Sequence, residues 1–131
     1  MSIPRVLFLT ITAAAAIAIA SAAWGADRAA EAKRVVASFA KGDFATPARS
    51  YADVMKKAGA DKKVPEGWRA VVAQAGPFQK QLGARTDTVK TGGQQYDRVF
   101  VTCQFQKTKL DVLMTFDAAG KVAGIFFVPS Q

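Results

Sequence analysis

Few side chains in this chain could perform covalent chemistry, and one residue type needed for much of it is missing. The 131 residues include no histidine, which excludes Ser-His-Asp and Cys-His machinery and the usual histidine zinc sites. The single cysteine, Cys103, cannot form a disulfide within the chain. It alternates with Val101 and Phe105 along a predicted strand and has no basic neighbour on that face. Reactive thiols need an electropositive, partly exposed setting, so we expect Cys103 to be buried and inert; an intermolecular disulfide or a redox role is the alternative.

Acid–base chemistry of the isomerase type needs a carboxylate inside an apolar cavity, with a hydrogen-bond donor opposite. Strand alternation places Asp111 and Asp117 on the outward side of the predicted sheet, and Asp97 lies at the start of a strand. No carboxylate is therefore expected on the inward side. The sequence predicts no catalytic residues, no metal site and no cofactor.

Basic side chains outnumber acidic ones, and the formal net charge is +8. Such a surface favours anionic partners. The densest basic group has no interleaved aromatic residues on which nucleobases could stack; it consists of Lys56, Lys57, Lys62 and Lys63. Nucleic acid is therefore not an expected partner. Solvated lysines are the simplest interpretation of this group, and binding of an anionic ligand is the alternative.

The first 25 residues have the order of a secretory signal peptide. Arg5 precedes an apolar run over 6–23, and small residues follow at a spacing suited to cleavage. We expect a secreted or periplasmic protein whose residues 26–131 form a single domain. The rival interpretation is an uncleaved N-terminal anchor, which alone would make the membrane a partner.

The remaining chain divides into a helical first half and a strand-rich second half, which is typical of α+β proteins. Apolar spacing and end signals predict three helices, over 27–41, 47–58 and 65–75. The second of these helices would bury Tyr51, Val54 and Met55. Alternation and turn signals predict four strands, over 85–91, 96–106, 109–116 and 121–128. We therefore expect three helices on one face of a curved, four-stranded antiparallel meander.

The turns predict a register for the meander. A two-residue turn at Lys107-Thr108 sets Cys103 opposite Val112, and a three-residue turn ending at Gly120 sets Phe116 opposite Val122. The strongest apolar residues then share the face that the helices cover. The outward face keeps an apolar patch, which marks an interface more often than an accident; it comprises Phe100, Leu113, Ile125 and Phe127. We expect homodimerisation through this face, with coverage by a terminal segment or the first helix as the alternative.

A pocket between the helices and the sheet is a second expectation, since such pockets are commonly apolar with a few polar groups. The residues that could line it are Tyr51, Trp68, Cys103, Met114 and Phe126. A small apolar ligand would suit it. The alternative is that these side chains simply fill the core.

Three features resemble a bacterial family of secreted domains of unknown function: Trp68 on a short helix, the Gly76-Pro77-Phe78 break, and the segment from Leu110 to Pro129. Its members occur alone or ahead of an α/β-hydrolase domain. The resemblance covers about 29–129 and implies a cystatin-like cone, similar to nuclear transport factor two and ketosteroid isomerase. Its motifs are packing and turn residues, so it implies a fold and assigns no catalytic residue.

Together these observations predict an exported, non-catalytic binding or interaction module that is homodimeric through the outer sheet face. Two alternatives remain open. One is a small-molecule-binding pocket protein, with or without weak catalysis. The other is an accessory domain that acts with a separately encoded hydrolase.

Overall fold

A computed structural model describes residues 27–130 of the chain. The predicted signal peptide over 1–25 lies outside the described residues. Within the described part, helices come first and a four-stranded antiparallel sheet follows. The α+β class predicted from the sequence is confirmed.

Four helices precede the sheet. The first, α1, covers 27–40 and buries an apolar stripe that includes Val36 and Phe39, which agrees with its prediction. The others are α2, α3 and α4, over Ala45–Ala48, Asp53–Lys57 and Ala60–Ala75.

The prediction of one continuous second helix is wrong, because the chain leaves the helix to pair with the sheet. Tyr51 forms a parallel bridge with Val122, and the Ala52 N–H donates to the Val122 carbonyl at 2.8 Å. This pairing separates α2 from α3 and buries Tyr51, which is 2% exposed. It also turns the Val54 side chain outward, so that it is 62% exposed, although the sequence predicted that it would be buried.

The predicted loop over 60–64 is also wrong, because α4 begins five residues before Pro65. The amides of Lys62 and Lys63 both donate to the Gly59 carbonyl at 3.0 Å, and Gly59 takes a left-handed conformation with φ of 78°. Pro65 therefore lies in the second turn, where its missing N–H removes one helical hydrogen bond. The Gly76-Pro77 stop is confirmed, since α4 ends at Ala75.

The sheet has the simple meander order β1-β2-β3-β4. The strands cover Phe78–Thr91, Gln94–Phe105, Lys109–Phe116 and Val122–Pro129. The third strand has the predicted bounds. The first is seven residues longer at its start than predicted, and two irregularities let it follow β2 along its whole length.

The predicted β2–β3 register is wrong by two residues. Cys103 lies opposite Leu110, and Val101 lies opposite Val112. The turn lies one residue earlier than predicted, because the Phe105 N–H donates to the Thr108 carbonyl at 2.9 Å and leaves Gln106 and Lys107 between them. These two amides bond to the end of α4: the Gln106 N–H donates to the Pro77 carbonyl at 3.0 Å and the Lys107 N–H to the Ala75 carbonyl at 2.8 Å. A shift of two leaves every side chain on its predicted face.

The β3–β4 register begins as predicted and then changes. Phe116 lies opposite Val122, but an irregularity follows at once, so that Thr115 lies opposite Gly124 and Leu113 opposite Phe126. One extra residue in β4 reverses the facing of every later side chain in that strand.

The core forms where α1 and α4 cover the sheet. Trp68 of α4 lies at its centre, with ring centroids 5.6 Å from both Phe39 and Phe105 and 5.8 Å from Phe78. Aromatic contacts of this kind stabilise a core beyond the area that they bury. All four helices lie towards this face and leave the opposite one, the outer face, without a covering element among the described residues.

Candidate functional site

The outer face carries a lateral row of apolar side chains. Pairing across β2, β3 and β4 brings Phe100, Leu113 and Phe126 side by side, with Arg85 of β1 at the end of the row. Phe126 is 56% exposed, while Phe100 and Leu113 are half-buried by their neighbours. We call Phe100, Leu113 and Phe126 the apolar row.

A buried carboxylate lies beside this row. Asp111 has no exposed surface, and it is the one fully buried charged side chain between residues 27 and 130. It accepts a hydrogen bond from the Thr102 hydroxyl at 2.8 Å and lies 3.2 Å from a terminal guanidinium nitrogen of Arg85. The outward facing predicted for Asp111 is correct, and Arg85 and Thr102 cover the side chain on that face.

The Arg85 guanidinium also lies over the Phe100 ring, 4.2 Å from the centroid. Arg98 approaches the same ring at 5.2 Å and forms two hydrogen bonds, of 2.7 and 2.6 Å, with the carboxylate of Asp87. These bonds lower the pKa of Asp87 and raise that of Arg98. One end of the row is therefore an aromatic ring held between two arginines, and the other end is purely apolar.

Two of the four predicted interface residues are on the opposite face. Phe100 and Leu113 are outward, as predicted. Ile125 and Phe127 pack against the core, because the β4 irregularity reverses their facing, and Phe126 takes the outward place. The signal that could have revealed this is Gly124, since a glycine inside a strand often marks a bulge.

Four of the five predicted pocket residues lie together in the core. Tyr51, Trp68, Cys103 and Met114 are each at most 6% exposed and belong to one packed cluster. The exception is Phe126, which faces outward for the reason just given.

The buried core is poorly suited to chemistry. Burial, reinforced by the negative charge of Asp111, raises the pKa of the Cys103 thiol to about 12. Burial likewise raises the pKa of Tyr51 to about 12. Both groups are therefore protonated at neutral pH, and neither is activated as a nucleophile or base.

A second surface feature is a groove between α3, α4 and β4. Its volume is about 440 Å³, within the range of roughly 300–1,000 Å³ that is usual for ligand sites. Its walls include the exposed side chains of Val54 and Phe126, and Lys63 is the one charged residue among its lining. Sequence reasoning did not find this groove, because the early start of α4 creates it.

Between residues 27 and 130, no three His, Cys, Asp or Glu side chains cluster closely enough to hold a metal ion. None of the helices in this part of the chain has the length and apolar character needed to cross a bilayer.

Comparison with known families gives a match over residues 32–125 to DUF3887, a protein family of unknown function. The chain belongs to the DUF3887 family. The DUF3887 match runs from α1 into β4 and includes Arg85, Phe100 and Asp111 of the outer face. No curated protein and no solved structure matches the chain.

Proposed function

We propose that this DUF3887 protein is an exported, non-catalytic interaction module that forms a homodimer through its outer face. The observation that carries the proposal is the apolar row on a sheet face that no helix between residues 27 and 130 covers. Contiguous apolar surface of this kind typically marks an interaction site.

A second copy of the chain is a chemically suitable partner for the row. A two-fold axis through the middle residue, Leu113, would reverse the row, as isologous contacts require. Phe126 of one copy would then lie against Phe100 and Arg85 of the other. An exposed aromatic ring against an arginine–aromatic pair is a favourable contact.

The size of the face also suits a small dimer. An eight-residue length of four strands measures roughly 26 by 19 Å before side chains are counted. Its planar area of about 490 Å² is below the roughly 800 Å² per partner that a standard interface buries, so a dimer would use the whole face. The polar groups at one end would form the rim, where ionic contacts specify orientation.

The absence of an activated group in the core supports a binding role over catalysis. Cys103 and Tyr51 are protonated at neutral pH, and the buried carboxylate, Asp111, is occupied by Thr102 and Arg85 on the outer face. Export is the part of the proposal that depends on the sequence alone. Helices packed on one face of an open sheet also suit the cystatin-like cone that the family resemblance implies, and we include this fold in the proposal.

The test is the solution mass of the purified protein by sedimentation velocity, for the wild type and two charge variants. Leu113→Asp places a carboxylate in the centre of the row. Leu82→Asp is the matched control, since Leu82 is a large apolar residue, 43% exposed, outside the row.

The expected result is a dimer for the wild type and for Leu82→Asp, and a monomer with an unchanged circular dichroism spectrum for Leu113→Asp. A wild-type monomer at tens of micromolar would refute the proposal. A Leu113→Asp variant that stays dimeric would show that the copies associate elsewhere.

A further inference from the structure

The groove between α3, α4 and β4 exposes apolar side chains that the fold leaves uncovered. Within residues 27–130, two large apolar side chains are more than half exposed, and both of them, Val54 at 62% and Phe126 at 56%, line this groove. Apart from Lys63, every lining residue is apolar or glycine. A surface of this composition is unfavourable in water unless a ligand covers it.

The floor of the groove is held open by small residues. The Phe127 ring lies so close to the α4 backbone that a Cβ at Gly67 would come within 2.9 Å of it. Opposite, Ala123 and Gly124 of β4 contribute no more than a methyl group to the lining. These small residues leave space between α4 and β4.

The charge at the groove is positive. Helical residues are spaced about 100° apart, so that on α4 Lys63 lies on the same side as the lining residues Ala60 and Gly67. Asp61 and Glu66 lie roughly 110° away on either side of the centre of that lining. None of the ion pairs found between residues 27 and 130 engages Lys63, so its ammonium is free to meet a ligand.

We propose that this groove binds a medium-chain fatty acid, with the alkyl chain against Val54, Phe126 and Phe127 and the carboxylate at Lys63. The apolar lining suits an alkyl chain, and the volume of about 440 Å³ suits one chain rather than a two-chain lipid. The single charged lining residue selects an anionic head group. This site shares Phe126 with the apolar row, but Val54, Lys63 and Phe127 line the groove without belonging to the row, and Leu113 does not line it, so different residues test the two proposals.

The test is isothermal titration of the purified protein with decanoate, below its micelle-forming concentration. Octanoate and dodecanoate extend the series, and decyltrimethylammonium is the probe of opposite charge. We expect saturable binding of one decanoate per chain. Each added methylene should tighten binding by up to about fourfold until the groove is full.

Charge reversal locates the site. Lys63→Glu should weaken decanoate binding by about tenfold, because it replaces an attraction by a repulsion of similar size. Lys62→Glu is the matched control, since it makes the same change on the neighbouring residue, which is exposed and outside the lining. It should change the affinity by less than about twofold.

A third variant tests the apolar wall. Val54→Asp alters a side chain that is 62% exposed, so folding should be unaffected, and circular dichroism checks this. Decanoate binding should fall by at least tenfold, whereas Leu113→Asp, which alters a residue outside the lining, should keep saturable binding. Failure of the dimer and failure of the groove site are therefore distinguishable.

Several results would overturn the inference. Equal affinity for decyltrimethylammonium would show that Lys63 does not select the ligand. Equal losses in Lys63→Glu and Lys62→Glu would indicate a general charge effect. Sedimentation with anionic phospholipid vesicles, without saturable decanoate binding, would identify a membrane surface as the occupant instead.

Discussion

Two arginines on the outer face allow a matched test of how burial changes the contribution of an ion pair to the free energy of unfolding. Both approach the Phe100 ring, and both meet a carboxylate. The partner of Arg85, Asp111, has no exposed side-chain surface, whereas the partner of Arg98, Asp87, is 45% exposed. We predict that Arg85→Leu destabilises the protein much more than Arg98→Leu.

The magnitudes follow from what each change leaves behind. In Arg85→Leu, Asp111 keeps only the Thr102 hydroxyl as a side-chain partner, and a buried carboxylate that loses a charged partner costs several kcal/mol. Because the Arg85 side chain is itself 48% exposed, we discount this to about 2–3 kcal/mol. In Arg98→Leu, water solvates Asp87, and the loss should stay below about 1 kcal/mol.

The assay is urea unfolding followed by circular dichroism, at one protein concentration for all variants because dimer formation would couple to folding. For a domain of this size, about 2–3 kcal/mol lowers the urea midpoint by about 1–2 M. The double variant Arg85→Leu/Asp111→Leu should regain at least half of the loss, since it removes the buried charge. Equal effects of the two arginine variants, or a double variant weaker than Arg85→Leu alone, would refute the reasoning.

Two further predictions concern the core and the end of α4. Stability should fall as the pH rises above 9, because the unfolded thiol of Cys103 loses its proton near 9.0 while burial holds the folded pKa at about 12. Tyr51 adds to this loss between pH 10 and about 12. The free energy of unfolding at pH 10.5 should be about 3 kcal/mol below that at pH 8, with a drop of only about 1 kcal/mol in Cys103→Val; equal drops would contradict the assignment. Gly76→Ala should destabilise by more than Gly59→Ala in thermal unfolding. Both glycines have positive φ, but a Cβ at Gly76 would lie 2.7 Å from the Cβ of Gln106, while one at Gly59 meets nothing within 4 Å; similar losses would show that backbone strain alone sets the cost.

Side-chain patterns identified the two faces of β2 and β3 correctly. Alternation along β2 and β3 placed Val101 and Cys103 inward and Phe100 and Leu113 outward, because successive side chains in a strand face opposite sides. A register error of two residues does not disturb this assignment. The β2–β3 register was nevertheless missed, because the turn amides bond to the end of α4, a contact that local turn rules do not include.

Strand alternation did not predict that the Asp111 carboxylate is buried. It placed Asp111 on the outward side of the sheet, and side chains on that side are ordinarily exposed to water. Its burial depends on Arg85, which is 26 residues earlier in the chain and is brought over it by β1. Irregularities in β1 set where Arg85 falls. One of them is at Gly83, and a glycine inside a strand often marks a bulge, but this signal does not tell which residue β1 brings over Asp111.

The sequence by itself determined the α+β order of elements, the helix-facing stripe, the burial of Cys103 and the stop at Gly76-Pro77, because each follows from short-range periodicity or local backbone chemistry. Only the tertiary structure decided the two surfaces proposed here. Pairing of Tyr51 with Val122 turned Val54 outward. One extra residue in β4 placed Phe126 on the outer face, where Phe127 had been predicted. The pairing of Tyr51 joins segments far apart in the chain, and the β4 irregularity follows directly after the same Val122. In both places hydrogen bonds between backbones override the local pattern.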